Sequence, residues 1–578
     1  MLIRRTILLI ALCNVGLAHA DKIDDVIQAE MKKRQIPGLS LAIIEGGKIV
    51  KLKGYGVTEK DGKAAVTPAT LFQAGSVSKP VAALGALHLV EQGKLTLDED
   101  VNGKLVTWKV PENTFTADKK VTLRGLLSHS AGLTLHGFPG YAVDGKIPTA
   151  PQILNGEAPA NTGPVRVDIV PGTAMRYSGG GYTVMQQLVV DVSGKPFPQY
   201  MQDAVLNPLG MRDSSYAQPP TAERAKMSAS GHSSDRSIVK GRWHLYPEMA
   251  AAGLWTNAAD LSRFAIAVQH SLAGKSNPVI SAKLTREMLT DQKGGFGLGL
   301  QLGGEGPALQ FSHGGRDAGF DTMFQAFAET GQGAVVMINA NDNSRMMARI
   351  MTAIANEYHW PNAKPAAAMA APDVKPDQAL IDGLAGRYEL SNNNMLALVS
   401  EPGMLISMSD GLPDEQFTPV GPLAFRSVSA NQTLTFQADE KGVVTGFVMS
   451  NDGRERKVPR IAPLMKPLAV KADPDLARTQ RVKAAIEAAA AGGPAGAESK
   501  FIAAPRKVHL GSGLKELAGV RSLAYLAEQD LGGRAIERHG CQVAKVLLYK
   551  VDNPGGKTYL MIFLDPEGLL ADHDLVDL

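Results

Sequence analysis

Ser76 and Lys79 stand three positions apart at the start of an apolar, helix-forming run, Val77 to Glu91. Residues at i and i+3 share one helix face, so the hydroxyl and the amine can meet. A lysine so placed takes the serine proton, or holds a base that does, and the serine becomes a nucleophile for acyl transfer. The pattern alone says little, because Ser237–Lys240 and Ser512–Lys515 repeat it. Those two lack partners and are read as chance. Ser76–Lys79 is followed in order by Tyr177-Ser178-Gly179, a Gly-rich turn before the apolar run Tyr182 to Val192. Next comes His313-Gly314-Gly315, after the short strand Leu309-Gln310-Phe311. At a helix N-terminus Ser76 meets unpaired N–H groups whose positive field favours a developing oxyanion, and its own N–H can donate to it. An ammonium beside a phenol favours the phenolate. Tyr177 near Lys79 is therefore expected to ionise more easily, accept the serine proton and pass it to the leaving group. The glycines after His313 let a substrate backbone lie along a strand edge, and they leave the Arg316 N–H as a second oxyanion donor.

Other chemistries find no support. There is no G-x-S-x-G elbow and no H-E-x-x-H or Cys/His cluster, and the upstream glycine of a P-loop is replaced by Gln269. No cofactor and no metal is implied. His129 reads as a helix-ending, packed residue, Trp255 as a core or cleft-wall aromatic, and Cys541 as a small buried hydrophobe. Arg316 suits either a substrate carboxylate or a surface salt bridge.

The elements that must position these groups follow from patterning. The 578 residues exceed one hydrophobic core. Composition is that of a soluble globular protein, 44% hydrophobic and 20% charged, and a net charge of +3 gives no nucleic-acid surface. Arg4 and Arg5, the apolar run Ile7 to Leu17 and Ala18-His19-Ala20 read as a signal peptide over 1–20, which places the mature protein in the periplasm or outside the cell. No later stretch is long and apolar enough to span a bilayer. Residues 21–362 form one α/β unit. Leu39 to Ile44 and Ile49-Val50 give strand, turn and strand, Asn257 caps a helix, Gly333 to Ile338 is a buried strand, and Met346 to Tyr358 is an apolar helix. Strands at both ends imply a sheet on which the two ends of the unit meet. A linker follows over 363–378, then short alternating strands over 379–462 that suggest a small antiparallel β-barrel or sandwich. Residues 463–499 read as a helix and an Ala/Gly-rich linker. Residues 500–578 read as a small α+β domain holding a hairpin, Val546 to Val551 with Thr558 to Phe563.

The ordered set S-x-x-K, Y-x-[NG] and H/K-x-G resembles the class C β-lactamase and penicillin-binding-protein family of serine hydrolases, which also holds D-aminopeptidases, DD-carboxypeptidases and esterases. Leu126 to Leu133, Tyr177 to Tyr182 and Gly253 to Leu261 fit it too. The resemblance implies an antiparallel sheet flanked by helices with a helical cluster beside it. It also implies Ser76 as acylated nucleophile, Lys79 and Tyr177 as the proton-transfer pair, and His313 in the place often held by lysine; with His313, the residues Gly179, Gly314, Gly315 and Arg316 are read as the substrate-binding set. The chain departs from it twice. Gly179 replaces a common asparagine, and His313-Gly314-Gly315 stands where Lys-Thr-Gly is usual; both shift weight from β-lactams toward esters and amides. The expected activity is hydrolysis of an amide, ester or β-lactam from a small molecule or peptide, with the cell wall as a further partner. The alternative is a non-catalytic or weakly active protein that binds a peptide or cell-wall ligand.

Overall fold

The computed structural model describes residues 22–361 apart from 234–235 and 343–344, residue 363, and residues 377–576 apart from 392–393, 410–411, 428–431, 452–453, 464–469, 491–499, 504–518, 531–535, 539–540 and 554–555. The signal segment, most of both linkers and Ser512–Lys515 lie outside the described residues.

A six-stranded antiparallel sheet organises the first unit. Its strands are β1 (Gly38–Glu45), β2 (Lys48–Gly56), β3 (Gln301–Gly303), β4 (Gln310–Asp317), β5 (Phe320–Phe327) and β6 (Gly333–Ile338), in spatial order β2-β1-β6-β5-β4-β3. β1 and β6 are covered on both faces, which is why Leu39 to Ile44 and Gly333 to Ile338 read as unbroken apolar runs rather than alternating ones. Helices α1 (Lys22–Arg34) and α5 (Arg345–Glu357) cover one face through Ile23, Ile27, Met347 and Ile350. On the other face lie α2 (Ser78–Glu91), α3 (Gly179–Ser193) and α4 (Ala258–Leu272), within the largest core. The Asn257 side chain caps α4, accepting the Asp260 N–H at 2.9 Å. The ends of the unit do meet, with Leu39 opposite Ile338.

Residues 386–463 form a closed eight-stranded antiparallel barrel, the first strand pairing with the last. Its interior is filled by side chains such as Tyr388, Leu398, Phe425 and Phe447. Arg349 on α5 ties the barrel to the first unit, reaching Glu415 of a barrel strand at 3.1 Å and Glu30 of α1 at 3.5 Å. Beyond the barrel, α6 (Leu476–Ala490) packs through Val482, Ala485 and Ile486 onto a four-stranded sheet that contains the expected hairpin. That helix therefore belongs with the C-terminal unit rather than with a connecting segment. Cys541 is buried in the same unit. None of the described helices is long and apolar enough to cross a membrane.

Candidate active site

Ser76 sits in a single 3-10 turn, Gly75–Val77, that runs into α2. β4 is laid directly against this turn. Gly75 has a φ of +52°, and a Cβ there would stand 2.4 Å from the Arg316 amide nitrogen. A Cβ on Gly315 would stand 2.0 Å from the Ala74 carbonyl oxygen and 3.0 Å from the Ser76 nitrogen. Only glycine permits either approach. Gly314 faces open space, with nothing nearer to an added Cβ than the Thr322 carbonyl oxygen at 4.0 Å.

Lys79, the second residue of α2, is 2% exposed. Its Nζ donates to Ser76 Oγ at 2.8 Å and to the Ala251 carbonyl at 2.8 Å. Burial pushes its pKa down to about 7, against the pull of the Asp317 charge. Its Nζ lies 4.9 Å from the centre of the Tyr177 ring.

The structure corrects one expectation here. Burial raises the Tyr177 phenol above its ordinary range, and the hydrogen bond with Ser76 opposes this without reversing it. The sequence pairs an ammonium with a phenol; the fold desolvates both, which favours the neutral amine and the neutral phenol. Lys79 rather than Tyr177 is the group that gives up its proton near neutrality.

His313 is 5% exposed, and its Nδ1 shares a hydrogen bond of 2.6 Å with the Gly314 carbonyl. A carbonyl only accepts, so Nδ1 carries the proton and Nε2 offers a lone pair. Nε2 is buried and has no hydrogen-bond partner among the described residues. Burial and the nearby Lys79 lower the His313 pKa to about 3, so the imidazole is neutral at pH 7.

Two other candidates stand away from this group. The Arg316 guanidinium grips Asp321 with two bonds, Nε to Oδ1 at 2.8 Å and one terminal nitrogen to Oδ2 at 3.0 Å, and Asp321 is fully buried. Of the two roles the sequence allowed Arg316, the fold realises the salt bridge. Gly179 is buried at the first position of α3, and its N–H donates to the His136 carbonyl at 3.0 Å. A Cβ there would meet that oxygen and the Phe138 ring, both at 3.0 Å. Gly179 thus admits the 135–138 loop and presents no group of its own, a correction to its reading as a substrate contact.

Sequence reasoning missed three neighbours of the site, His136, Glu248 and Asp317, and read a fourth, His129, as packing. The His129 ring lies 4.1 Å from that of Tyr177, centre to centre. His136 is exposed, with its ring 4.9 Å from Tyr177, and burial of part of the ring together with Lys79 lowers its pKa. Asp317 and Glu248 are buried carboxyls, held above the usual carboxylate range by desolvation, Glu248 at about 8. None stands in a spacing that announces chemistry. Trp255 is a core residue, edge-on to Trp243 and Phe320. Lys240 of the second S-x-x-K match is exposed and pairs with Asp144 at 3.1 Å, as a chance match should.

The profile of the Beta-lactamase family matches residues 23–357. The chain belongs to this family. Every site residue named above falls within the matched stretch. A beta-lactamase of Providencia stuartii is 31% identical over 244 residues, 42% of this chain and 58% of that protein. Protein flp of Staphylococcus aureus (strain N315) is 27% identical over 246 residues, 42% of this chain and 47% of its own. The chain thus spans about half the length of the curated relatives it matches. Among solved structures, the octameric penicillin-binding protein homologue from Pyrococcus abyssi aligns over 76% of this chain and 99% of its own, at 20% identity and a TM-score of 0.51, a likeness of fold. The beta-lactamase-family domain is thus one of serine hydrolases, and its sheet and helices are those the motif order implied.

Proposed function

We propose that this beta-lactamase-family protein hydrolyses esters or amides through a Ser76 acyl-enzyme. The observation that carries the reading is the buried Lys79 amine at 2.8 Å from the Ser76 hydroxyl, where desolvation pushes its pKa down to about 7. Neutral Lys79 takes the Oγ proton as Oγ attacks the substrate carbonyl. The N–H groups of Ser76 and Arg316 hold the oxyanion. Tyr177 gives its proton to the leaving group and regains one from the Lys79 ammonium. Water then attacks the acyl-enzyme, giving its proton along the same path in reverse, and the acid is released with Ser76 restored.

The preferred substrates are neutral around the scissile bond. A lysine at position 313 would offer a permanent cation to a substrate carboxylate; neutral His313 does not, and Arg316 is committed to Asp321. Carboxylate-bearing β-lactams are therefore the poorer substrates. The apolar run and Ala18-His19-Ala20 support export to the periplasm or medium, where cell-wall peptides are also available as ligands. An N-terminus at Asp21 in the secreted protein tests export.

Intact-mass analysis after brief exposure to 4-nitrophenyl butanoate and, separately, to a penicillin tests the chemistry, with Ser76→Ala alongside. A butanoyl adduct or ester turnover in the wild type only is expected, with little penicillin adduct. Equal turnover by Ser76→Ala would falsify the acyl-enzyme. Penicillin binding without turnover of either compound would favour the binding-protein alternative.

A further inference from the structure

His129 combines three unusual features. It follows the short helix Leu123–Leu127 with a left-handed φ of +58°, a conformation that costs a residue with a Cβ about 1–2 kcal/mol. Its side chain is 2% exposed in sum with the rest of the residue. And it holds three consecutive residues of another segment. The His129 carbonyl accepts the Arg176 N–H at 2.8 Å, Nδ1 accepts the Ser178 N–H at 3.1 Å, and the ring lies on that of Tyr177, 4.1 Å between centres with 30° between planes. Tyr182 and Phe296 close around the same ring at 5.2 and 5.3 Å.

Because Nδ1 accepts, the neutral ring carries its proton on Nε2. That atom is buried and has no hydrogen-bond partner among the described residues. A residue serving only to end a helix needs neither the ring stack nor an orphaned N–H, and Asn or Gly would adopt the backbone at lower cost. Backbone strain and an unmet buried donor on one residue, beside reacting groups, are features that packing alone does not require.

We propose that His129 is the positioning residue for Tyr177: it sets the phenol against Ser76 and Lys79, and it acts on acyl transfer only through that ring. The inference rests on the Ser76 acyl-enzyme reading. Its consequence is selective. Tyr177 matters most where the leaving group must be protonated, so disturbing His129 slows the release of an alkoxide and spares that of a nitrophenolate, which leaves without a proton.

The test measures kcat/KM, which reports acylation, for methyl butanoate and 4-nitrophenyl butanoate. The enzymes are wild type, Ser76→Ala, His129→Asn, Tyr177→Phe and the double variant. Asparagine tolerates the left-handed backbone, and its amide oxygen can take the Ser178 N–H, but it lacks the ring. The expected result is a loss of roughly tenfold on the methyl ester and about twofold or less on the nitrophenyl ester. In the Tyr177→Phe background the same change adds about twofold or less, because the two residues act as one unit. His129→Phe, which keeps a ring, retains the methyl-ester rate better than His129→Asn and supplies the comparison if the asparagine variant fails to fold. Equal losses on both esters, or a full multiplicative loss in the Tyr177→Phe background, overturn the proposal and leave His129 as packing. A wild type no faster than Ser76→Ala on either ester removes the acyl-enzyme reading, and this inference with it.

Discussion

Lys79 Nζ lies 2.8 Å from Ser76 Oγ with the lysine almost wholly out of water and also donating to the Ala251 carbonyl. A lysine in that setting is a base near neutrality rather than a fixed cation, and the pH dependence of the protein follows from it.

Acylation of Ser76 is expected to rise with pH through an apparent pKa of about 7. The sign is set by the lowered pKa: below it Lys79 is an ammonium and cannot take the serine proton, above it the amine is free to do so. Lys79→Arg fixes the charge, and the acylation rate should fall by about 10²-fold or more and lose that inflection. Stopped-flow acylation from pH 5 to 9 measures both; a profile flat across neutrality would sink the assignment of Lys79 as base.

His313→Lys should raise the ratio of kcat/KM for a carboxylate-bearing substrate over a neutral ester by roughly tenfold, because it supplies the charge that the neutral imidazole lacks. Competition between paired substrates in one reaction gives the ratio directly. No change in the ratio would mean that position 313 does not face the substrate.

Gly315→Ala should cost about 3 kcal/mol of stability and most of the activity, since the added methyl would stand 2.0 Å from the Ala74 carbonyl oxygen on the turn that carries Ser76. Gly314→Ala, with open space at its Cβ, should cost about 1 kcal/mol or less. Urea unfolding of the two variants side by side separates close approach from the general effect of replacing a strand glycine.

Arg316→Ala should destabilise the fold by about 2 kcal/mol, through loss of the charged bonds to buried Asp321, while leaving KM for neutral esters within about twofold. Thermal unfolding and steady-state kinetics on one preparation suffice. A large rise in KM at unchanged stability would return Arg316 to the substrate.

Much of the frame was legible because it is local. Alternation and runs revealed β1, β6 and the C-terminal hairpin, and Asn257 announced the start of α4. The order of the three motifs brought Ser76, Lys79, Tyr177 and His313 together, and the fold does so. What escaped was what depends on surroundings. The direction of the Tyr177 shift is decided by desolvation, which a sequence does not display. Gly179 reads as a missing side chain until the His136 carbonyl and the Phe138 ring are seen in its place. His129 reads as the end of a helix, because its three contacts with 176–178 come from a segment far along the chain. Arg316 and Asp321 are near neighbours, but nothing in their spacing says which of two partners the guanidinium takes.

The pairing of β1 with β6 governs when this molecule can come into being. β1 is made before the other strands of its sheet, yet one of its two hydrogen-bonded neighbours is the last of them, ending at Ile338. Until that strand is synthesised β1 has one open edge and an uncovered apolar face, so assembly waits on a contact distant in sequence and is slow by nature. Ser76 is made early but lacks its setting until then, because the strand that backs it, β4, arrives only shortly before β6. The site and the sheet are thus completed together, once Ile338 has been made and with the barrel still to follow, and any fragment ending before Ile338 should accumulate as an unfinished, aggregation-prone chain.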